Sequence, residues 1–313
     1  MQRWRRWIWL SLPMAVACWA GLAATSAAQS GGKTIAWRAE QQGTLRVRMI
    51  HRMRTEIQSD QKPSAMSMLT AMELHWRLAE ADESGKIAIE QKIERLVLQS
   101  TEADGRTWKF DTASPDPPPP ELRELADALR PLIGSRLTIV LDPRGQVQDV
   151  QRDAETDRLL ADVPTAARWK NLLTRDGMQQ MLRQALGPLP DQPVVSGDRW
   201  QQVRTLQTPL GQITLIDRFE YRGTVTEQGR ELDRIDRTTS LQRDESDAGL
   251  FGEPAPPTSH QDSGKLYFDS DAGRLVRSRN HHRWQSEIVA GDHRLLVTSS
   301  GTLDTEIEPL EAP

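Results

Sequence analysis

The chain has 313 residues, with 40 Lys and Arg against 44 Asp and Glu and a formal net charge of −4. That balance excludes nucleic acid as a bulk electrostatic partner. A single cysteine, Cys18, excludes an internal disulfide and a multi-thiolate metal site.

The N-terminus has the parts of an export signal. Arg3, Arg5 and Arg6 form a basic region, Trp7 to Ala24 is mostly apolar, and Ser26 and Ala28 fit the small-x-small cleavage rule. Residues 1–28 therefore read as a signal peptide. Pro13 and the cleavage site behind it argue against a retained membrane helix. The alternative is a loose lipobox, Ala15-Val16-Ala17-Cys18, with a lipid anchor at Cys18. Cleavage leaves 29–313, expected to be a single β-rich domain in the periplasm or outside the cell. Its net charge falls to −7 once the three arginines leave. No later stretch reaches the roughly 20 apolar residues of a transmembrane span.

Gln29 to Lys33 is a small polar lead. Thr44 to Ile57 has period two. Leu45, Val47, Met49, His51, Met53, Thr55 and Ile57 point one way. Arg46, Arg48, Ile50, Arg52, Arg54 and Glu56 point the other, which makes a long strand with one buried face. Met66 to Leu78 is a second strand, Glu83 to Lys86 a hairpin turn, and Ile87 to Gln99 a third strand. Asp104-Gly105 is a hairpin signal, and Trp108 and Phe110 end this β section.

The centre runs from Ser114 to Val150. Pro117 to Pro120 form a stiff extended segment. Leu122, Leu125, Leu129, Leu132 and Ile133 form one apolar helical stripe, with Glu121 and Glu124 in its first turn and Gly134 placed to end it. Leu137, Ile139 and Leu141 alternate as a strand. Asp142-Pro143-Arg144-Gly145 is a turn, and Val147 and Val150 begin the return. Further helices are expected over Asp153 to Val163, over Pro164 to Leu173, and after Thr174. The last carries Met178, Met181, Leu182, Ala185 and Leu186 on one face. Gly187-Pro188 stops it. That methionine-bearing face suits core packing first and an adaptable ligand surface second.

The last third is β again. Strands are expected from Trp200, over Gln212 to Thr226 with Ile213, Leu215, Phe219 and Tyr221 on one side, and over Glu231 to Leu241. Residues 244–263 read as an exposed loop. Lys265 to Phe268, Arg274 to Val289 and Arg294 to Ile307 are the closing strands, with a turn at Asp269 to Gly273.

Four blocks carry a resemblance: Leu137 to Val150, Leu189 to Trp200, Thr208-Pro-Leu-Gly211, and Leu266 to Val276. Together they resemble an uncharacterised family of exported proteins common in planctomycete bacteria. The resemblance implies a secreted, β-rich domain and transfers no catalytic residue. The proposed architecture is also similar to curved-sheet carriers of lipoproteins and lipids, a likeness of fold alone.

No phosphate loop, nucleophile elbow or zinc-protease helix is present. Asp269-x-Asp271-x-Gly273 begins like a calcium loop but lacks its later ligands. His281 and His282 are adjacent on a strand, so they face opposite ways and do not share a metal. His260 and His293 are isolated. Arg46, Arg48, Arg52 and Arg54 share one strand face, and Arg277, Arg279, His281 and Arg283 share another. If those strands were neighbours they would make a cationic surface for anionic headgroups or acidic glycans. The simpler reading pairs them with acids such as Glu220, Asp233 and Asp236. No catalytic, cofactor-binding or metal-ligating residue is assigned, and no cofactor is expected.

The expected fold is mainly β (α+β): one large curved antiparallel sheet with a central helical segment, about 121–186, packed on one face. The expected function is non-enzymatic binding of an apolar or amphipathic ligand, such as a lipid, between sheet and helices. The alternatives are a structural or protein-interaction module of the cell envelope and a hydrolase with an unrecognised site.

Overall fold

The computed structural model describes residues 31–39, 43–58, 63–161, 179, 182–183, 186–208, 211–242, 257–290 and 293–310. By internal contacts the chain divides into Met1–Gly31 and Gly32–Pro313, and all described strands lie in the second unit. The strands are β1 (Thr44–Gln58), β2 (Ser64–Leu78), β3 (Ile87–Thr101), β4 (Thr107–Asp111), β5 (Arg136–Leu141), β6 (Val147–Arg152), β7 (Arg199–Thr208), β8 (Gly211–Glu227), β9 (Arg230–Gln242), β10 (Pro257–Asp269), β11 (Arg274–Ala290) and β12 (His293–Pro309). They form one twelve-stranded sheet in the order β6-β5-β3-β2-β1-β12-β11-β10-β9-β8-β7, with β4 paired to the far half of β3. Among the described residues every strand pairing is antiparallel.

The period-two reading of β1 holds: Leu45, Val47 and Met49 are buried while Arg48, Arg52 and Arg54 are exposed. In-register pairing places Val47 between Leu74 and Ile307. One apolar cluster joins strands from both ends of the sheet, including Val47, Trp76, Ile89, Ile139, Phe219, Phe268 and Ile307. The sheet therefore curls until its two ends share a core.

A central helical segment over about 121–186 packed on one face was expected, and the sheet overturns it. That stretch contributes β5 and β6 to the sheet itself, and the helices described in full there are short: α1 (Arg123–Leu129) and α2 (Ala154–Ala161). The stripe from Leu122 to Ile133 does not run as one helix because Pro131 has no N–H to donate and its ring clashes with the preceding turn. The chain passes instead from a 3-10 turn at Pro120–Leu122 through α1 to a second 3-10 turn at Arg130–Leu132. Gly134 ends it at a φ of 80°. What remains of the stripe is a small cap: Ala126, with Leu122, Leu129 and Ile133, on Leu96, Leu98 and Phe110 at the β3–β4 corner. Pro164 to Leu173, and Met178, Met181 and Ala185, lie outside the described residues. Leu182 and Leu186, one helical turn apart, are buried in the core. Of the expected loop at 244–263, Pro257 to Ser263 belong to β10, and residues 243–256 lie outside the described residues.

The curl is held by two short segments that are not strands. Around Lys33 to Ala39 the chain forms a strap. Lys33 bridges Val194 in both directions, the Trp37 N–H donates to the Pro143 carbonyl at 2.7 Å, and the Arg38 N–H donates to the Gly273 carbonyl at 2.9 Å. Ile35 and Trp37 are each 2 % exposed, and the Trp37 ring meets Phe268 edge-on at 5.9 Å. The second segment, Arg183 to Trp200, spans the sheet's two edges. Arg183 donates to the Val147 carbonyl on β6, Leu189 to the Arg144 carbonyl, and the Trp200 indole on β7 to the Pro188 carbonyl. Trp200 also stacks on Phe219 at 5.6 Å.

Two glycines let the strap lie this close. A Cβ on Gly145 would sit 2.5 Å from the Trp37 Nε1, and one on Gly273 would sit 2.6 Å from the Arg38 Cβ. Both have positive φ, 75° and 62°. Gly105 has a φ of 85° but open space around it. Gly105→Ala is expected to lose only the backbone strain, about 1–3 kcal/mol. Gly273→Ala adds a clash with the strap and is expected to lose more, read as a lower urea midpoint at an unchanged slope. Equal midpoints for the two variants would show that the strap does not hold the curl.

Candidate functional site

The strands are longer than the core. On the core-facing side of β1, Leu45, Val47 and Met49 lie in the closed apolar end, and His51, Met53 and Thr55 continue beyond it. On β2 the same side carries Met72, Met68 and Met66. Met53 stands directly opposite Met68, and Met49 opposite Met72. Met53 and Met68 are half-buried and Met66 is 46 % exposed. Leu303 on β12 and Trp284 on β11, both half-buried, extend this strip.

Toward β7 the same face becomes polar. Asp217 on β8 takes a two-pronged ion pair from Arg204 on β7, with the second contact at 3.1 Å. It also accepts from Arg237 on β9 at 3.2 Å and from the Thr239 hydroxyl at 2.5 Å. Arg237 reaches on to Asp262 on β10 at 3.4 Å. The Asp217 side chain is 3 % exposed, that of Arg237 4 % and that of Arg204 10 %. Burial alone would raise the Asp217 pKa. The Arg204 hydrogen bonds and the charges of Arg237 and Arg204 outweigh it and hold the carboxyl below its ordinary value.

Three histidines border this network. His282 is in register with Asp262, and His51 lies against His282 with ring centroids 5.3 Å apart. Burial lowers the pKa of each of His51, His260 and His282 below 6.5. His282 adds to the lowering at His51, Arg237 and Arg204 at His260, and His260 and His281 at His282, while Asp262 opposes it at the last two. All three are neutral at pH 7.

Buried polar atoms without a partner gather here. Among the described residues these are Arg204 Nη1, His260 Nε2, Asp262 Oδ1, Asn280 Oδ1, Ser286 Oγ and Thr305 Oγ1 on this face, and Arg274 Nε elsewhere. Such atoms are rare in folded proteins and call for a water, an ion or a ligand. Ser286, His260 and Asp262 are a serine, a histidine and an acid on one face. Ser286 Oγ and His260 Nε2 do not hydrogen-bond, however, and Ser286 is 1 % exposed. That is not the geometry of an activated nucleophile.

His281 is exposed on the outer side and His282 turns to the core side, as alternation requires. Among the described residues no group of three or more His, Cys, Asp or Glu could hold a metal. In the Asp269 to Gly273 turn, Asp269 Oδ1 accepts the N–H groups of Asp271 and Ala272 at 3.1 and 2.8 Å. The carboxylate is closing its own turn.

The two arginine rows do not form one patch. β1 and β11 both pair with β12, which runs between them and carries acids. Arg46 pairs with Glu308 at 2.9 Å, Arg48 with Glu306 at 3.9 Å, Arg52 with Asp304 at 3.1 Å and Arg279 with Asp304 at 2.5 Å. Arg277 pairs with Glu227. The partners are thus not Glu220, Asp233 or Asp236. Asp233 is fully buried and accepts from Tyr221 (2.7 Å), Thr224 (3.1 Å), Ser270 (2.5 Å) and Lys33 (2.9 Å). Burial and then this bond push the Tyr221 phenol up to about 12.

A family model described as "Family of unknown function (DUF6263)" matches residues 84–219. Three of the four resembling blocks lie inside that range, and Leu266 to Val276 lies outside it. The match itself carries nothing about export or bacterial group. No curated protein matches the sequence. Among solved structures, the chain is similar to one of lipid–protein interactions in lipovitellin, at 11 % identity and a TM-score of 0.40. That match covers 87 % of this chain and 26 % of the other, so the chain spans about a quarter of its length. A TodX monoaromatic hydrocarbon channel mutant matches at 10 % identity and a TM-score of 0.28, over 87 % and 91 % of the two chains. A DUF1329 family protein from Desulfovibrio piger matches at 9 % identity and 0.14, over 84 % and 86 %. All three scores lie below 0.5 and carry no functional weight. Among the described residues no helix is long and apolar enough to cross a membrane.

A histidine whose folded pKa lies below its unfolded value binds fewer protons folded than unfolded. The stability tied to His51, His260 and His282 is therefore complete above pH 6.5 and drains as pH falls through their lowered values. The Asp217 contribution is lost only below the usual carboxylate value of 3.8. The urea midpoint is expected to be level from pH 8 to 7 and to drop between 6.5 and 5; a level curve down to pH 5 contradicts the assignment. Asp217→Asn leaves Arg204 and Arg237 buried without that carboxylate and is expected to destabilise by about 3–5 kcal/mol in the same assay at pH 7.

Proposed function

We propose that the protein is a non-enzymatic binding protein of the cell envelope, exported by its leader, that holds an amphipathic molecule of lipid type on the core-facing side of the sheet. The apolar part lies over Met53, Met66, Met68 and Leu303, beyond the closed core. The polar part reaches the band of His260, Asp262 and Asn280. The observation that carries this reading is a coincidence on one face: a half-exposed methionine strip shares it with six buried polar atoms that, among the described residues, lack a hydrogen-bond partner. Thioether side chains adapt to chains of varied shape, and a polar head can satisfy groups that the protein leaves unpaired. The place of β7 as the last strand of the described sheet supports a second reading as an interaction module that accepts a strand from another protein.

Native mass spectrometry of the protein purified from its own envelope tests the proposal. The expected spectrum shows a chain beginning at Gln29 that carries one additional lipid-sized mass. Met53→Glu with Met68→Glu is expected to remove that mass while the chain stays folded by circular dichroism. A folded wild-type chain with no added mass sinks the binding reading, and a chain that retains residues 1–28 sinks the export reading.

A further inference from the structure

The outer side of the sheet carries two clefts that meet. The first, about 630 Å³, is lined from that side by Arg52, Arg54, Ser67, Leu69, His281 and Ser300 on β1, β2, β11 and β12, and it reaches β3 at Gln99 and Thr101. The second, about 660 Å³, runs from β11 to β7 and is lined by Arg199, Arg218, Arg222, Lys265, Arg277 and Arg279. His281 lines both. Together they make a trough across nine adjacent strands, from β3 to β7. At about 4.8 Å per strand this is roughly 38 Å long.

Its charge opposes that of the chain. Nine Lys and Arg residues line it, of which Arg237 turns to the core side, against two carboxylates, Glu220 and Asp236, on a protein of net charge −4. Several of the cations already hold an acid: Arg199 and Arg222 share Glu220, and Arg279 holds Asp304. Two do not. Arg218 donates to the Ser240 hydroxyl at 2.8 Å, and among the described residues neither it nor Lys265 is paired with a carboxylate. Both are exposed on the trough. A concave surface of one sign concentrates the opposite sign along it.

From this geometry we infer that the outer trough binds an extended anionic polysaccharide, with Arg218 and Lys265 taking its acidic groups. The path follows the outside of the curled sheet, so a flexible polymer can follow its whole length and a flat bilayer cannot. Tyr267, at the floor, is 8 % exposed and has Arg277 over its ring at 4.6 Å, while the Phe219 ring points into the core. Among the described lining residues the open ring is the imidazole of His281, a single platform where a run of bases needs several, which disfavours single-stranded nucleic acid. The trough opens on the opposite side of the sheet from the lipid-type site; Met53 and Met68 of that site also border the first cleft, whereas Arg218 and Lys265 lie in the second.

The test titrates purified protein, in low-salt buffer, with a short and a long sulfated oligosaccharide, with oligothymidylate of matched charge, and with anionic phosphatidylglycerol vesicles. The long oligosaccharide is expected to bind most tightly and to weaken as salt rises. Arg218→Gln with Lys265→Gln removes two cations without orphaning an acid and is expected to weaken it about tenfold, in the range of two charge contacts. The circular dichroism spectrum and the envelope-derived added mass should not change. No length dependence, tighter binding of the oligothymidylate or the vesicles, or an unaltered affinity in a folded double variant would each overturn the inference.

Discussion

Everything else in the fold depends on how Lys33 to Ala39 is pinned between two turns from opposite ends of one sheet. An antiparallel sheet with an apolar face must cover that face. The sheet covers itself by curling, which brings Ile139 and Phe268 into one cluster. A curl of a twisted sheet leaves a seam. The strap fills it with Ile35 and Trp37 and takes backbone hydrogen bonds from both sides. Asp233 secures the same seam. Several kcal/mol oppose the burial of a bare carboxylate, and four donors, among them Lys33 of the strap, offset that.

Strand length explains why a second region exists at all. β1, β2 and β3 have 15 residues each, about 50 Å at roughly 3.3 Å per residue. One core does not extend that far. Each long strand therefore crosses from the sealed end into a zone where its inward positions carry histidine, methionine, serine and charge. The Arg204–Asp217–Arg237 group stays buried there because each charge meets its opposite within hydrogen-bonding distance. The unpaired atoms beside it are a different matter, since nothing in the protein compensates their desolvation.

Much of this was legible in the sequence. Alternation marks β1, β5 and β8, and turn chemistry at Asp104-Gly105, Asp142 to Gly145 and Asp269 to Gly273 marks the β3–β4, β5–β6 and β10–β11 joints. The helical layer was misread because a stripe of leucines outweighed Pro131, whose missing N–H ends the helix. The strap was missed because Ile35 and Trp37 belong to no repeating pattern; only their contacts with distant turns give them meaning. The polar network had a signal that was passed over. Asp217 falls in the same alternation as Ile213, Leu215, Phe219 and Tyr221, and Arg237 in that of Ile235. A charge at an inward position of a strand asks for a partner, but naming it requires the register between β8, β9 and β10.

The arginine rows show the same dependence on register. Read alone, β1 and β11 suggest a continuous cationic surface. β12 lies between them, and near the core end its Glu308, Glu306 and Asp304 neutralise both rows. Beyond Asp304 the outward residues of β12 are Thr302, Ser300 and Thr298, which carry no charge, and there the arginines line open clefts. The inward face changes at the same height: past Leu303 come Gly301 and Ser299. Alternate residues of one strand encode the two faces independently, so geometry alone does not force both to change at one level. The chain thus closes its lower half on both sides with apolar packing and ion pairs, and leaves both sides of its upper half chemically unfinished. Such a division separates the part that holds the fold from the part free to meet other molecules.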